Sequence, residues 1–334
     1  MSTMIDIYTH IFPDRYFQEM MKLAPALKDI GPRLRSITKL FDLDARFREM
    51  DTFGDYRQIV SLPNPPIENI ATPEQGIALA RIANDEMAEL CRKYPDRFPT
   101  FAAALCLTDV EGSIHEVRRA IHALGAAGAL IYTDIAGEPL DQEKFDPFFA
   151  SMAELDAPIW LHPARTAAMT DYKSEKKSRY EMWWCLGWPY DTSVAMIRMV
   201  FCGLFDRYPN LKIITHHLGG MIPYYDGRIG PGLDVLGART SDEDYSQVLS
   251  SLKRPHMDYL HDFYGDTAMF GGGVHATRCG LEFFGADHVV FASDAPLGPI
   301  APTIKTVEAL GLSAGDHRKV VCGNAEKLLK RKFN

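Results

Sequence analysis

The sequence predicts an α/β fold of the (β/α)8 TIM-barrel type, distorted and with long loops at its C-terminal rim. Three observations lead to this prediction. Eight short apolar runs alternate with helix-like segments. Four of these runs end in a residue of metal-binding type: His10, His162, His217 and Asp294. Three connections are long for barrel loops. Because the strands of a parallel barrel all end at one rim, residues scattered along the chain would meet there.

The strand candidates are apolar runs rich in β-branched and aromatic residues, each closed soon afterwards by Gly or Pro. They cover residues 4–9, 57–62, 100–106, 128–132, 158–162, 211–216, 263–267 and 288–293. Eight such strands, separated by helical segments, indicate a parallel barrel. A doubly wound open sheet is the rival fold, but no GxGxxG turn follows the first strand.

Helices are predicted from apolar positions at helical spacing over residues 73–94, 112–124, 142–155 and 191–208. The first begins after Thr72 and ends at Tyr94, just before a proline. The second ends near Gly125, and the fourth begins at Asp191, a residue type favoured at a helix N-cap. These segments fall between strand candidates, as a barrel requires.

The long connections cover residues 11–45, 163–190 and 218–262. Long loops in a compact domain are usually functional or make contacts. The second contains the tryptophans at 183, 184 and 188, and the third contains Arg228. The tryptophans either pack in the core or form the wall or lid of a pocket.

Length and composition indicate one barrel domain over residues 1–334, of which 46% are hydrophobic. Lys plus Arg number 36 against 44 Asp plus Glu, a formal net charge of −8 that does not suggest a nucleic-acid-binding protein. No signal peptide or membrane-spanning run is present. The six cysteines form no CxxC pair. We therefore expect a cytoplasmic protein with reduced thiols and no membrane partner.

The candidate site combines imidazole and carboxylate groups, which suit zinc and also manganese or iron. One histidine at a strand end is more often structural than a ligand. The prediction of a metal site therefore rests on the four strand-end residues together, to which Asp266 adds a carboxylate at the end of the seventh predicted strand. His216 and His217 compete for one role because neighbouring side chains on a strand face opposite sides. We expect His217 to face the site.

At these residues the sequence resembles the amidohydrolase superfamily, and within it the amidohydrolase-2 group typified by aminocarboxymuconate-semialdehyde decarboxylase. The resemblance extends over nearly the whole chain and depends on the order and spacing of several motifs. These are DIYTHIFP (6–13), ARFREMD (45–51), LHP (161–163), FDRYPNLK (205–212), HLGG (217–220), GRI (227–229), FYGD (263–266) and SDAP (293–296).

The resemblance implies a distorted barrel with one divalent metal, commonly zinc or manganese, and an activity that is mainly nonoxidative decarboxylation. It implies that His10, His162 and Asp294 are metal ligands and that His217 activates water or positions the substrate. Arg46 and Arg228 look like the arginines of the family that bind the substrate carboxylate, and Trp184 resembles a tryptophan that contacts the substrate. In some members the second arginine reaches across a dimer interface.

One position departs from the family pattern. The first strand of the family carries His-x-His or Glu-x-His, whereas this chain reads Tyr8-Thr9-His10. A phenol is a poor ligand unless the metal deprotonates it. Tyr8 is therefore an unusual ligand, a residue beside an open coordination position, or a sign of weakened metal binding. We favour the second reading, in which Tyr8 contacts substrate or a metal-bound water.

These expectations combine into a metal-dependent nonoxidative decarboxylase of a small aromatic or unsaturated carboxylic acid. His217 and Asp294 would handle protons, and Tyr8, Arg46, Trp184 and Arg228 would contact the substrate. Zinc is the first expectation for the metal and manganese the second. A homodimer or dimer of dimers is expected. The alternatives are a hydrolase or hydratase on the same scaffold, acting on a lactone or unsaturated diacid, and a metal-free member that binds a carboxylate.

Overall fold

The computed structural model describes residues 3–27, 29–240, 242–271 and 273–333. Its strands are β1 (Met4–His10), β2 (Tyr56–Ser61), β3 (Ala102–Ala103), β4 (Gly128–Tyr132), β5 (Asp134–Ile135), β6 (Glu138–Pro139), β7 (Ile159–His162), β8 (Ile213–Thr215), β9 (Tyr264–Asp266) and β10 (Val289–Val290). β5 and β6 form a small antiparallel hairpin that the sequence analysis did not predict. The other eight correspond to the eight predicted strands.

These eight strands follow one another in the order of the predicted barrel. β3, β4, β7, β8, β9 and β10 form one parallel sheet, and β1 pairs with β2 in a second. Single parallel bridges join the two sheets, from Val60 to Phe101 and from Thr9 to Ala295. The backbone N–H of His10 also donates to the carbonyl of Ala295 over 2.7 Å. The predicted distortion is thus real, because the strand pairing is reduced to isolated contacts at two points around the ring.

Several strands are shorter than predicted, because side chains take the place of ladder partners near the rim. The predicted strand 288–293 is regular only over Val289–Val290. Three residues later, the backbone N–H of Ser293 donates to the carboxylate of Asp6 over 3.0 Å instead of to a neighbouring strand. The end of this apolar run therefore remains buried without being a regular strand.

The α-helical segments of the described residues are α1 (Asp14–Leu23), α2 (Gly31–Ser36), α3 (Leu43–Met50), α4 (Pro73–Lys93), α5 (Val110–Arg119), α6 (Asp146–Leu155), α7 (Met182–Cys185), α8 (Gly187–Phe201), α9 (Leu204–Arg207), α10 (Asp226–Leu233), α11 (Val248–Ser251), α12 (His256–Leu260), α13 (Val274–Phe284), α14 (Ile300–Ala309), α15 (Ala314–Arg318) and α16 (Asn324–Leu329). The three long connections are thus partly helical: α1 and α2 lie in the first, α7 in the second, and α10 to α12 in the third.

The predicted helix 73–94 is confirmed as α4, with a capping box in which the Thr72 side chain and the Gln75 side chain each bond the other's backbone. Helix α5 continues as a π-helical turn and ends at Gly125, whose φ of 81° suits glycine. The predicted helix 191–208 begins earlier, at Gly187, so Asp191 lies inside α8 and is not its N-cap.

The core includes the strands and the inner faces of the surrounding helices, and Trp160 on β7 is one of its largest fully buried side chains. Its indole N–H donates to the carbonyl of Ile7 on β1 over 2.8 Å, which links two strands across the barrel. Gly128 on β4 is required beside it, because a Cβ at that position would overlap the carbonyl of Pro158. Within the described part of the chain, no helix is long and apolar enough to cross a membrane.

Candidate metal centre

Two strand ends and two segments that follow strands bring the predicted metal-type residues together. His10 ends β1, His162 ends β7, His216 and His217 follow β8, and Asp294 follows β10. The ring centroids of His10 and His162 lie 5.5 Å apart, and those of His162 and His216 lie 5.0 Å apart. All these residues lie on the rim formed by the carboxyl ends of the strands, where the barrel fold places active sites.

Their donor atoms form two overlapping groups, each with its atoms within 4.8 Å of one another. One group is His10, His162 and His216, and the other is His216, His217 and Asp294. Among the described residues, no hydrogen-bond partner is found for four of these buried atoms: Nε2 of His10, Nε2 of His216, Nδ1 of His217 and Oδ1 of Asp294. Buried polar atoms are normally paired. Unpartnered nitrogen and carboxylate atoms that converge on one point fit a divalent cation.

The ring orientation of His10 and His162 is set by bonds at the far side of each imidazole. Nδ1 of His10 lies 3.0 Å from the carbonyl oxygen of Leu62, and Nδ1 of His162 lies 2.8 Å from that of Pro163. A carbonyl can only accept, so each Nδ1 carries the proton and each Nε2 keeps its lone pair. Such bonds are typical of histidines that ligate metals.

Both histidines after β8 lie at the site, so the expectation that His216 faces away is wrong. β8 ends at Thr215, and the backbone of His217 then adopts a left-handed conformation with a φ of 54°. The ring centroids of the two residues lie 3.9 Å apart. The alternation of faces applies only within an extended strand, and the turn after Thr215 removes it.

Burial and neighbouring charges set the protonation of these groups. Burial, together with the nearby His216, lowers the pKa of His217 to about 3, so this imidazole is neutral at neutral pH. Burial alone would raise the pKa of Asp294, but the proximity of His10 and His216 outweighs it and holds that pKa well below its usual range. Oδ1 of Asp294 lies 3.1 Å from Nε2 of His10, without the alignment of a hydrogen bond. The site thus combines the ionised carboxylate of Asp294 with the neutral imidazole of His217, whereas at His216 burial is outweighed by the charges of Asp266 and Asp294, which raise the pKa to about 9.

Tyr8 lies inside the barrel, among the histidine rings. Its ring stacks on that of His216, with centroids 4.0 Å apart and an interplanar angle of 20°. The side chain is fully buried, and its hydroxyl has no partner among the described residues. Burial, with the charge of Asp266 nearby, holds the pKa of Tyr8 well above its usual value, so the side chain is a neutral phenol.

A cavity of about 320 Å³ opens above these residues, and His162, His217 and Asp294 line it. This volume is at the small end of ligand pockets. Its walls are mainly aromatic and apolar: Trp183, Trp184, Trp188, Met269, Phe270 and Leu297. The ring of Trp188 lies nearly parallel to that of His217, with centroids 6.1 Å apart. The cavity therefore offers flat apolar surfaces above a polar floor, which suits a small ring-shaped acid.

The chain matches the family model described as amidohydrolase over residues 5–331. The chain belongs to the amidohydrolase family. Gamma-resorcylate decarboxylase of Polaromonas sp. is 32% identical over 314 residues, which cover 90% of each chain. The 2-amino-3-carboxymuconate-6-semialdehyde decarboxylase of Dictyostelium discoideum is 26% identical over a gapped alignment of 346 positions, covering 98% of this chain and 92% of that protein.

A solved structure shares the amidohydrolase architecture of this chain. It is a dihydroxybenzoic acid decarboxylase from Polaromonas sp., with bound manganese and the inhibitor 2-nitroresorcinol. It superposes with a TM-score of 0.81 at 29% identity, covering 99% of this chain and 97% of that one. The comparison confirms the predicted resemblance and the barrel fold.

Arg46 does not line the cavity of this amidohydrolase, so the structure does not place it where the predicted contact with a substrate carboxylate requires. It is only 2% exposed, beneath β1. Its guanidinium donates to the side chain of Gln58 over 2.7 Å, to the carbonyl of His10 over 2.6 Å, and to the hydroxyl of Thr9 over 3.1 Å. All three of its nitrogens are therefore occupied by the protein itself.

The bonds of Arg46 continue into a buried network that supports the metal centre from below. Gln58 donates to the hydroxyl of Tyr56 over 3.1 Å, and that hydroxyl donates to the carboxylate of Asp6. Asp6 also accepts from the hydroxyl and the backbone N–H of Ser293. Burial is the main reason that the pKa of Asp6 rises to about 7. The network joins the backbone of His10 to the residue before Asp294.

Arg33 is the cationic side chain that the sequence analysis missed. Among the described residues, it is the one arginine or lysine that lines the cavity. Its guanidinium donates to the carbonyl of Leu297 over 3.0 Å and lies 5.8 Å from the ring centre of Phe270. The length of the 11–45 connection was the one available signal, because no motif distinguishes Arg33 from other arginines in that segment.

Trp184 and Arg228 have different positions. Trp184 lines the cavity, and its indole N–H donates to the Glu181 carboxylate over 3.0 Å. Arg228 lies on α10, is exposed, and does not line this chain's cavity. Their proposed contacts with substrate stay predictions.

A larger cleft of about 460 Å³ lies elsewhere on the surface. Three of its four charged side chains are already engaged: Arg207 donates to Asp146 over 3.0 Å, and Asp141 accepts from Arg198 over 2.9 Å. The unpartnered buried nitrogens described above are absent from its lining. We therefore assign function to the smaller cavity above the histidines.

Proposed function

We propose that this amidohydrolase is a metal-dependent nonoxidative decarboxylase of a small aromatic carboxylic acid. One observation carries the proposal: unpartnered imidazole and carboxylate atoms form the floor of a small cavity whose walls are aromatic. The activity is further supported by relatives that are decarboxylases, including one of a dihydroxybenzoic acid.

His10, His162 and Asp294 would hold one divalent ion. Zinc was the first expectation, but we now favour manganese, because a related structure contains bound manganese. When bound, the ion supplies positive charge that stabilises negative charge developing on a substrate oxygen. Measurement of the metal content of protein purified without chelator, followed by reconstitution with each ion, separates the two metals.

Decarboxylation breaks the bond between the ring carbon and the carboxylate carbon, releases carbon dioxide and requires one proton at that ring carbon. His217 lies on the cavity wall and its buried Nδ1 has no partner among the described residues, so this imidazole is placed to pass a proton to a bound substrate. Asp294 is ionised and lines the same cavity, where it orients the neighbouring groups. These two residues are our proposed proton-handling pair.

The substrate ring would lie against the tryptophan wall, with Trp184 as one contact. With Arg46 occupied, Arg33 is our candidate for the group that binds a substrate carboxylate or hydroxyl at the mouth. Its guanidinium already lies over Phe270 and has donors beyond the one bonded to Leu297. Arginine suits this role because its planar fork matches a carboxylate.

We also propose a homodimer or dimer of dimers in which Arg228 reaches the cavity of the neighbouring subunit. Arg228 is exposed on α10, and two large side chains near it in sequence are also exposed: Tyr224 at 76% and Val235 at 49%. Large exposed side chains fit a surface that a second copy covers.

We propose a cytoplasmic location. The described cysteines are all free, which fits the reducing environment of the cytoplasm.

The test is a screen of aromatic acids for carbon dioxide release, beginning with 2,6-dihydroxybenzoate and using manganese-loaded protein. We expect release that a chelator abolishes and that His162→Ala eliminates. Turnover of a lactone or unsaturated diacid without carbon dioxide release would instead support the hydrolase or hydratase alternative. Protein that binds no divalent ion would support the metal-free alternative.

Arg33→Ala tests the proposed substrate contact, with Arg35→Ala as the matched control on the same helix. Arg35 is also exposed but does not line the cavity. Loss of one charge-assisted hydrogen bond predicts a fall in kcat/KM of about 10–100-fold, mainly through KM. Equal kinetics in the two variants would show that Arg33 does not contact the substrate.

A further inference from the structure

We infer that His216 is a further protein ligand of the metal and that Asp266 positions it. This inference deepens the proposed function and rests on it for the presence of the ion. The His10, His162 and Asp294 set does not include His216, and Asp266 had no role beyond ending the seventh strand. Four observations on these residues support the inference.

The first is the bond between the two residues. Nδ1 of His216 lies 2.5 Å from Oδ2 of Asp266, and both side chains are completely buried. A carboxylate accepts hydrogen bonds, so Nδ1 is the protonated nitrogen. The Nε2 atom at the other side of the ring is also buried and has no partner among the described residues.

The second is that His216 repeats the arrangement of its two neighbours. In His10 and His162, as in His216, Nδ1 is bonded to an acceptor outside the site. One ring nitrogen of each of the three residues belongs to the 4.8 Å group described above. An acceptor on one nitrogen of a histidine sets the tautomer that presents the other nitrogen to a metal. His216 is therefore prepared for coordination as fully as His10 and His162 are.

The third is the position of His216 between the two donor groups. It is the one residue that belongs to both the histidine group and the group containing Asp294. Its Nε2 lies 3.6 Å from Oδ1 of Asp294. Ligand atoms bonded to one ion at ~2.1 Å lie about 3–4 Å apart. The separation thus suits two atoms that share an ion better than a direct hydrogen bond between them.

The fourth is the face of Tyr8 against His216. The ring of Tyr8 stacks on this imidazole at the 4.0 Å separation given above, and its own hydroxyl is unpartnered. Where the resemblance leads one to expect a second ligand on the first strand, this chain carries a ring that packs on His216 instead. His216 thus takes the place of a ligand at position 8, with Tyr8 packed on its ring face and Asp266 bonded to its Nδ1.

The experiment measures manganese affinity without substrate. The metal-stripped protein is titrated with manganese, and the free ion is followed by its electron paramagnetic resonance spectrum. We expect His216→Ala to weaken binding by 100-fold or more, and His217→Ala to change it by less than about threefold. If His217→Ala releases the ion and His216→Ala does not, the next histidine is the ligand and our inference is wrong. Unchanged affinity in a folded His216→Ala protein also overturns it.

Asp266→Asn keeps the shape of the side chain and tests the positioning role if His216→Ala does not fold. Oδ1 of Asp266 accepts the backbone N–H of Ala268 over 3.0 Å, so the Asn oxygen would stay there and its NH2 would face His216. That NH2 would donate to Nδ1, move the ring proton to Nε2 and block the ligand atom. We expect a 10–100-fold weaker affinity with an unchanged circular dichroism spectrum. Unchanged affinity would refute the positioning role.

The result separates this inference from the proposed function. If manganese binding follows the predicted pattern but no aromatic acid releases carbon dioxide, the ligand assignment stands and the reaction is wrong. If carbon dioxide is released and affinity does not depend on His216, the reaction stands and the ligand assignment is wrong. Both results are measured on the wild-type protein and the variants His216→Ala, His217→Ala and Asp266→Asn.

Discussion

Replacing Arg46 by methionine tests whether this buried arginine supports the metal centre or contacts substrate. Methionine keeps the apolar stem of the side chain and removes the guanidinium, so little packing is lost. Three acceptors would then be left inside the protein without their donor: the side chain of Gln58, the carbonyl of His10 and the hydroxyl of Thr9. We therefore expect a large loss of stability and a change at the metal centre.

The magnitude follows from these three bonds. Each buried acceptor left without a partner costs about 1–3 kcal/mol, and the desolvation of the guanidinium that is relieved offsets part of the sum. We expect the free energy of unfolding to fall by about 3–5 kcal/mol, a large share of the ~5–15 kcal/mol typical of a folded protein. Burial lowers the pKa of Arg46 to about 10, the direction expected for a guanidinium whose loss of hydration is only partly compensated by its partners.

The assay is urea unfolding of the metal-stripped protein, followed by far-ultraviolet circular dichroism, with Arg48→Met as the control. Arg48 lies on the same helix two residues later and is exposed, so its replacement should change stability by less than about 0.5 kcal/mol. If Arg46→Met is as stable as the control and instead raises KM for the acid, Arg46 reaches the substrate and our structural reading is refuted.

Three further results are expected. Tyr8→Phe should keep its manganese and lose about 1–3 kcal/mol of transition-state binding in kcat/KM measurements. The metal-stripped variant should be at least as stable as the wild type, because the substitution deletes a buried hydroxyl that has no partner among the described residues. Loss of the ion from this variant would identify Tyr8 as a ligand. Because the pKa of Asp6 is raised to about 7, the folded state holds a proton that the unfolded state has released between about pH 4 and 7. Stability therefore falls as pH rises through this window. Asp6→Asn should remove this pH-dependent change in the free energy of unfolding, which is at most roughly 4 kcal/mol, as measured by urea unfolding at several pH values. An equal pH dependence in both proteins would contradict the assignment. Arg228→Ala should be inactive while still sedimenting as a dimer. After subunit exchange with an equal amount of His162→Ala, half of the dimers are hybrids with one complete site each, so about a quarter of the wild-type activity should return. No recovery, or a fully active monomer, would exclude a shared site.

The strand order and the meeting of His10, His162 and Asp294 at one rim were predictable from the sequence. Both depend on local patterns that the chain carries openly: short apolar runs, each ended by a polar residue, alternating with helical spacing. In a parallel barrel, that pattern alone determines which ends of the strands converge. Helix α4 was predictable for the same reason, since its capping residues and its final proline lie in the sequence beside it.

Arg46, His216 and Arg33 needed the tertiary structure. Arg46 lies in a motif shared with the family, but the direction of its side chain depends on Gln58 and His10, which lie on β2 and β1. The orientation of His216 depends on where β8 ends and on the left-handed backbone of His217, neither of which a two-residue repeat predicts. Arg33 reaches the cavity only because the 11–45 connection folds over the rim. A side chain's partners across the fold determine its role at these positions, and sequence spacing holds no information about those partners.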